Sequence, residues 1–266
     1  MLRAALRKAL LWSAFLFLVV TPTFAACPAP DTVQKIRVET AVDGDTVRLS
    51  SGQSVRLIGV NTPEMNYQRS KPEAGALAAT QFVRSLLSDI SYIQPGIQSR
   101  DRYGRMLAHL FLYDGRSLEE ALLKRGLGYY LAIPPNIQLR DCLRAAEHEA
   151  REQGLGVWRD GLWPQEATDL KPGTTGFVIL RGKITKVSRS NKAWYLELDN
   201  RIALKLDADV LVLFDDRGRA HIRPKSRLEV RGWLIDRSRH SSVKKNRYKP
   251  LFINVSHPDH LQFLTD

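Results

Sequence analysis

The residues best suited to chemistry fall in three short blocks. Val42-Asp43-Gly44-Asp45-Thr46 places two carboxylates at a tight turn. Arg56-Leu57-Ile58-Gly59-Val60-Asn61-Thr62-Pro63-Glu64 ends an apolar run in a polar cluster, with an arginine eight residues before a glutamate. Asp101-Arg102-Tyr103-Gly104-Arg105 adds a second arginine beside a turn. Taken alone, Asp43-Gly44 is an ordinary hairpin signal. Together the side chains complement one another. Asp45 and the Asn61 amide oxygen are hard donors suited to Ca2+ or Mg2+. Arg56 and Arg105 carry planar forks that match phosphate oxygens, and Glu64 beside them can take a proton from water. A hard cation, two arginines and a base are the requirements of phosphodiester hydrolysis.

Such a set needs a scaffold that brings the blocks together. The pattern predicts strands at 36–41, 46–50 and 55–60, with turns at Asp43-Gly44 and Ser51-Gly52. The second turn folds 56–60 back along 46–50, so Asp45 and Asn61 meet at one end. A helix is predicted over 72–87, from apolar residues at helical spacing, and strands over 91–99 and 105–113. Ser117 caps a further helix, with Glu120 completing a capping box and Gly126 ending it. A third helix spans 137–153. Five strands with helices among them describe an α+β domain with the strand count of an OB-fold barrel.

These blocks resemble the staphylococcal nuclease, or thermonuclease-like, family from about residue 35 to 158. The likeness continues through Pro72-Glu73-Ala74, Met106-Leu107-Ala108, Glu120-Ala121-Leu122 with Gly126-Leu127, Leu143-Arg144 with Glu147, and Gly156-Val157-Trp158. It implies a Ca2+-dependent nuclease of DNA and RNA on an OB barrel, leaving 3′-phosphates. Carried over by position, Asp45, Asn61 and the Thr62 carbonyl hold the metal, with Asp43 acting through water. Glu64 becomes the general base, Arg56 and Arg105 grip the phosphate, and Tyr103 lies beside the nucleotide. The chain departs from the family at Asn61, where an aspartate is usual. The amide keeps an oxygen donor but removes a formal charge, which implies weaker Ca2+ binding or a shift towards Mg2+.

Charge is distributed unevenly. The net +12 divides into +3 for residues 1–26, −1 for 27–170 and +10 for 171–266. Residues 176–266 read as a second β-rich, OB-like domain, with strands at 177–187, 194–198, 202–206, 228–235 and 251–255 and a short helix at 208–214. Between its last two strands, Arg237, Arg239, Lys244, Lys245, Arg247 and Lys249 lie in one loop. Loops at that position of OB-folds hold oligonucleotides. Charge alone therefore assigns capture of DNA or RNA to this domain and leaves the chemistry to the first. A solvated basic surface, or one facing anionic lipid, is the alternative.

Two cysteines and six scattered histidines exclude a disulfide-built scaffold and a four-cysteine zinc site. A hydrophobic fraction of 44% with 26% charged residues is that of a globular protein. Residues 1–8 are basic, 9–20 apolar, and 21–25 carry the small residues of a signal-peptidase site. The expected organisation is a signal peptide at 1–25, a catalytic domain at 30–162, a linker at 163–175 and a basic domain at 176–266. No later run is long enough to span a membrane. The mature protein is expected in the periplasm or secreted. Phe24-Ala25-Ala26-Cys27 also weakly resembles a lipoprotein box, so Cys27 is either a lipid anchor or a partner for Cys142. The rival to the enzyme is a nucleic-acid-binding envelope protein with a weakened metal site.

Overall fold

The computed structural model describes residues 26–66, 71–161, 163–171, 173–246 and 248–264, so the expected signal peptide lies outside the described residues. The first half contains β1 (Gln34–Lys35), β2 (Val38–Ala41), β3 (Thr46–Leu49), β4 (Ser54–Leu57), β5 (Val60–Asn61), α1 (Ala76–Ser85), β6 (Ile90–Arg100), β7 (Met106–Leu112), α2 (Leu118–Lys124), β8 (Tyr129–Tyr130) and α3 (Arg140–Glu152). The main sheet runs β1-β6-β7-β4-β3-β2. Its pairs are antiparallel except β4 with β7, where Val55 lies opposite Met106. Because β1 and β2 are consecutive pieces of one strand, the sheet closes as the expected five-stranded OB barrel. Val47, Val55, Ala108 and Leu110 are fully buried in it.

The helices are shorter than their apolar patterns suggest. The first starts at Ala76 rather than 72, after Gly75 with φ 90°. Ser117 caps α2 as expected, its Oγ accepting from Glu120 N at 3.1 Å. The capping box is left half-made, because the Glu120 carboxylate turns away. It accepts from Cys27 N at 2.9 Å and pairs with Lys124 Nζ at 2.7 Å. Glu119, fully buried, takes the Ser117 hydroxyl and Leu110 N instead. Cys27 and Cys142 form a disulfide that ties the chain's start to α3. A sulfur held in that bond carries no lipid thioether, so a lipid anchor at Cys27 does not fit this structure.

The second half contains β9 (Gln165–Glu166), β10 (Gly176–Arg189), β11 (Ala193–Leu198), β12 (Ile202–Asp207), α4 (Ala208–Leu211), α5 (Asp216–His221), β13 (Arg227–Asp236), α6 (Ser241–Asn246), β14 (Leu251–Val255) and β15 (Leu261–Leu264). The order is β15-β13-β14-β12-β11-β10-β9, closed by an added β13–β10 pairing. Here too the single parallel contact between long strands, β12 with β14, joins the third and fifth strands of the barrel. Both halves thus repeat one topology. The first part of the stretch expected as a linker, residues 165–169, has regular structure. Its β9 pairs parallel with β10, and Ala167 and Leu170 are buried in the second core. Prolines hide the apolar spacing of Trp163, Ala167 and Leu170 in the sequence. The basic loop holds α6 and precedes the fourth of five strands after residue 190, since β15 follows β14.

The halves are packed against each other. Tyr129, Ala150, Trp158 and Ile179 form a small shared core with Phe177 and Trp163. Beside it, Arg151 on α3 makes a two-pronged contact to Glu229 on β13, at 2.7 and 2.6 Å. No described helix is long and apolar enough to cross a membrane.

Candidate active site

The turn between β2 and β3 carries Asp43 and Asp45, and the end of β5 carries Asn61 and Thr62. Gly44 is required between the two carboxylates by close packing. A Cβ there would lie 2.6 Å from the Ala79 Cβ and 2.8 Å from Thr62 Oγ1. Asp45 is almost wholly buried. Its Oδ2 accepts from Thr62 N at 2.7 Å and is ion-paired with Arg56 Nη1. Its Oδ1 accepts from the Thr46 hydroxyl at 3.2 Å.

Arg56 organises the site's centre. It donates through Nη1 to Val60 O at 3.2 Å and through Nη2 to Asn61 Oδ1 at 2.9 Å. Arg105 donates from Nη1 to Thr46 Oγ1 at 3.3 Å, and Asp101 holds its Nε at 2.8 Å. Thr46 therefore links Arg105 to Asp45. Tyr103 is exposed on the adjoining turn, with the Arg102 and Arg105 guanidinium carbons 4.8 and 5.6 Å from its ring centre. Glu64 sits at the rim, its N–H bonded to Glu73 Oε2 at 2.9 Å.

Negative charge exceeds what the two arginines neutralise. Burial, with Asp45 and Glu64 nearby, pushes Asp43 up to about 7 even though Arg56 opposes the shift. Glu64 is exposed as a residue, yet burial of its carboxyl group and the charge of Asp45 raise its pKa. Glu73 adds to the rise, while Arg56 and Arg105 oppose it. The Thr62 hydroxyl is buried without a partner among the described residues. Crowded carboxylates, an orphaned hydroxyl and an all-oxygen donor set fit a hard divalent cation. Among the described residues no three His, Cys, Asp or Glu side chains converge on one metal position. The donors expected from the sequence are of mixed kinds, the Asp45 carboxylate with the Asn61 amide and the Thr62 carbonyl.

Asp43, Asp45, Arg56, Asn61, Thr62, Glu64 and Arg105 thus share one end of the first barrel. Three neighbours escaped assignment from sequence: Thr46, Asp101 and Glu73. Thr46 and Asp101 stand within the motif blocks, next to Asp45 and four residues before Arg105. Glu73 stands in the Pro72-Glu73-Ala74 block of the likeness, but nothing in that block ties it to Glu64. The residues of the basic loop stand apart from this cluster, on the second domain. Arg239 and Lys245 are exposed, Lys244 lies in α6, and Arg247 lies outside the described residues. Arg237 is packed over the Phe252 ring at 3.7 Å, and burial lowers its pKa. Lys249 is engaged by Glu197 at 3.3 Å and by Asn200.

Comparison with known proteins agrees with this geometry. The profile of the family described as Staphylococcal nuclease homologue matches residues 54–160. The chain is 33% identical over 125 residues to a Thermonuclease of Staphylococcus intermedius, covering 46% of this chain and 74% of that one. It is 31% identical over 130 residues to Endonuclease YncB of Bacillus subtilis (strain 168), covering 46% and 61%. It is 28% identical over 157 residues to the SPbeta prophage-derived endonuclease YokF of the same strain, covering 53% and 52%. The chain thus spans half to three quarters of these relatives, and each match leaves about half of it uncovered. Fold, ordered motifs and these matches lead to one conclusion: this chain belongs to the staphylococcal nuclease family.

Proposed function

We propose that the protein is a metal-dependent nuclease that hydrolyses phosphodiester bonds of DNA, RNA or both, leaving 3′-phosphates. The observation that supports this reading is the continuous hydrogen-bonded set running Arg105–Thr46–Asp45–Arg56–Asn61, with Glu64 at its rim. Asp45, Asn61 and the Thr62 carbonyl hold the cation, with Mg2+ as the alternative to Ca2+. Ca2+, when bound, neutralises phosphate charge. Arg56 and Arg105 orient the phosphate and stabilise the charge that grows on its oxygens. Glu64 accepts a proton from water, the water oxygen bonds to phosphorus, and the bond to the 5′ oxygen breaks, that oxygen taking up a proton from solvent to leave as a hydroxyl. Its raised pKa brings it closer to the range where a carboxylate is an effective base. Arg239, Lys244, Lys245 and Arg247 supply sequence-independent attraction for the strand.

The disulfide favours an oxidising compartment, in keeping with a periplasmic or secreted protein. The test is hydrolysis of single-stranded DNA and of RNA by the purified chain with Ca2+, with Mg2+ and with chelator, followed by mapping of the product ends. Cleavage that persists in chelator, or ends bearing 5′-phosphates, overturns the mechanism. Binding without cleavage under every condition favours the non-catalytic reading.

A further inference from the structure

Asn61 and the carbonyl at Val60, both bonded to Arg56, belong to a strand of two residues. Its partner, β8, also has two, and they form a separate sheet in which Val60 faces Tyr130 and Asn61 faces Tyr129. The contact is close. A Cβ added at Gly128 would lie 2.9 Å from Asn61 O, and Leu131 N donates to Gly59 O at 3.1 Å. A ribbon this short has no independent stability. Whatever fixes β8 therefore fixes the strand that carries Asn61.

The anchors of β8 come largely from the second domain. Arg231 on β13, 7% exposed, donates from Nη1 to Tyr130 O at 2.9 Å. The same nitrogen contacts both oxygens of Glu147 on α3, at 2.8 and 2.7 Å, and Glu147 Oε1 accepts Tyr130 N at 2.7 Å. Both polar groups of the Tyr130 backbone thus end on one buried ion pair, half of which belongs to the other domain. The Tyr130 hydroxyl donates to Asp259 Oδ2 at 2.8 Å, and the Tyr129 ring packs on Phe177 at 5.3 Å. An unpaired Glu147 in this position would be costly. Arg231 and the Tyr130 backbone are therefore mutually dependent.

We infer that the second domain is a positioning component of the candidate active site, acting through Arg231 and Asp259 on β8, and through β8 on Asn61 and Arg56. This goes beyond the capture role that charge alone assigns to it, and it rests on the nuclease reading above. The test uses the full chain with Arg231→Met and Asp259→Asn. Steady-state kinetics are measured on an oligonucleotide, and hydrogen exchange is followed at the Tyr130 and Leu131 amides. The expected result is a fall in kcat of about tenfold or more for Arg231→Met and a smaller fall for Asp259→Asn. KM should stay within about twofold, and exchange should be faster at the two amides while distant amides keep their protection.

A wild-type kcat in folded variants whose ribbon amides exchange faster overturns the proposal, as does unchanged exchange. A loss confined to KM assigns the domain to capture alone and also overturns it. If Arg231→Met does not fold, Asp259→Asn decides. A wild-type chain that cleaves nothing defeats the nuclease reading instead, and exchange alone then decides whether the second domain holds the ribbon.

Discussion

Glu64 is the residue on which the proposed chemistry turns, because its carboxyl group feels both Arg56 and Arg105 at the rim of the site. Glu64→Gln keeps the shape and removes the base. Turnover is expected to fall about 10²–10⁴-fold at saturating substrate, and hydrolysis at the wild-type rate would end the general-base assignment. Asn61→Asp tests the metal assignment separately. Asn61 Oδ1 already faces Arg56, so an aspartate there is accommodated electrostatically while adding charge to the cation site. The half-saturating Ca2+ concentration is expected to drop several-fold. An unchanged calcium titration would remove residue 61 from the ligand set. Asp45, Arg56, Asn61, Thr62 and Arg105 are legible in the sequence because each lies in a block whose turn or strand fixes its neighbours. The contact of Glu73 with Glu64 is not, since it is made by backbone and carboxylate bonds across a stretch whose sequence has no periodicity.

At the level of elements, the barrel strands are readable from short apolar runs bounded by turns, and the helices from apolar spacing. Ends are read less well. Glu120 looks like half of a capping box until Cys27 N, far away in sequence, takes its carboxylate. The ribbon of β5 and β8 is invisible, because two-residue strands leave no alternation to detect. Cys27–Cys142 is one of two readings of the same cysteine. Closing a loop with a sequence separation of 115 residues constrains the unfolded chain by about 4–5 kcal/mol. The double substitution Cys27→Ser with Cys142→Ser should lower Tm by roughly 8–20 °C in thermal unfolding. A shift of a degree or two would mean the crosslink adds little to what α3 packing supplies.

For the molecule as a whole, the join between the domains sets the response to acid. His260 on the second domain is buried, and burial, with Arg231 and His257 nearby, drives its pKa down to about 3. An unfolded histidine takes up its proton near pH 6.5. Below that value the unfolded state binds the extra proton, so stability falls steadily as pH drops towards 3. Burial alone would raise the Glu229 pKa, but the hydrogen bonds and charge of Arg151, with Arg231 and Arg181, outweigh it and hold it low. Its contribution is present above the ordinary glutamate value and is lost at still lower pH. His260→Leu should therefore flatten the decline of Tm between pH 6.5 and 4, and an unaltered slope would count against a neutral buried imidazole.

Salt dependence reports on the basic loop of the same domain. With Arg237 over Phe252 and Lys249 held by Glu197, Arg239 and Lys245 are the loop's exposed cations among the described residues, and each is expected to add about 0.7 to the slope of log affinity against log salt on single strands. Neutralising Arg239 and Lys245 should make it shallower by about 1.4. An unchanged slope would place the strand elsewhere.

The dependence of β5 on Arg231 also has a consequence in time. Arg231 follows Asn61 by 170 residues. At roughly 5–20 residues per second of synthesis, the ribosome reaches that arginine about 8–34 seconds after the strand it steadies. The strands of the first barrel all precede that arginine in the chain, so on this proposal the reactive end is set only once the second domain is in place. A nascent chain of this design carries its cutting residues early and acquires their alignment last.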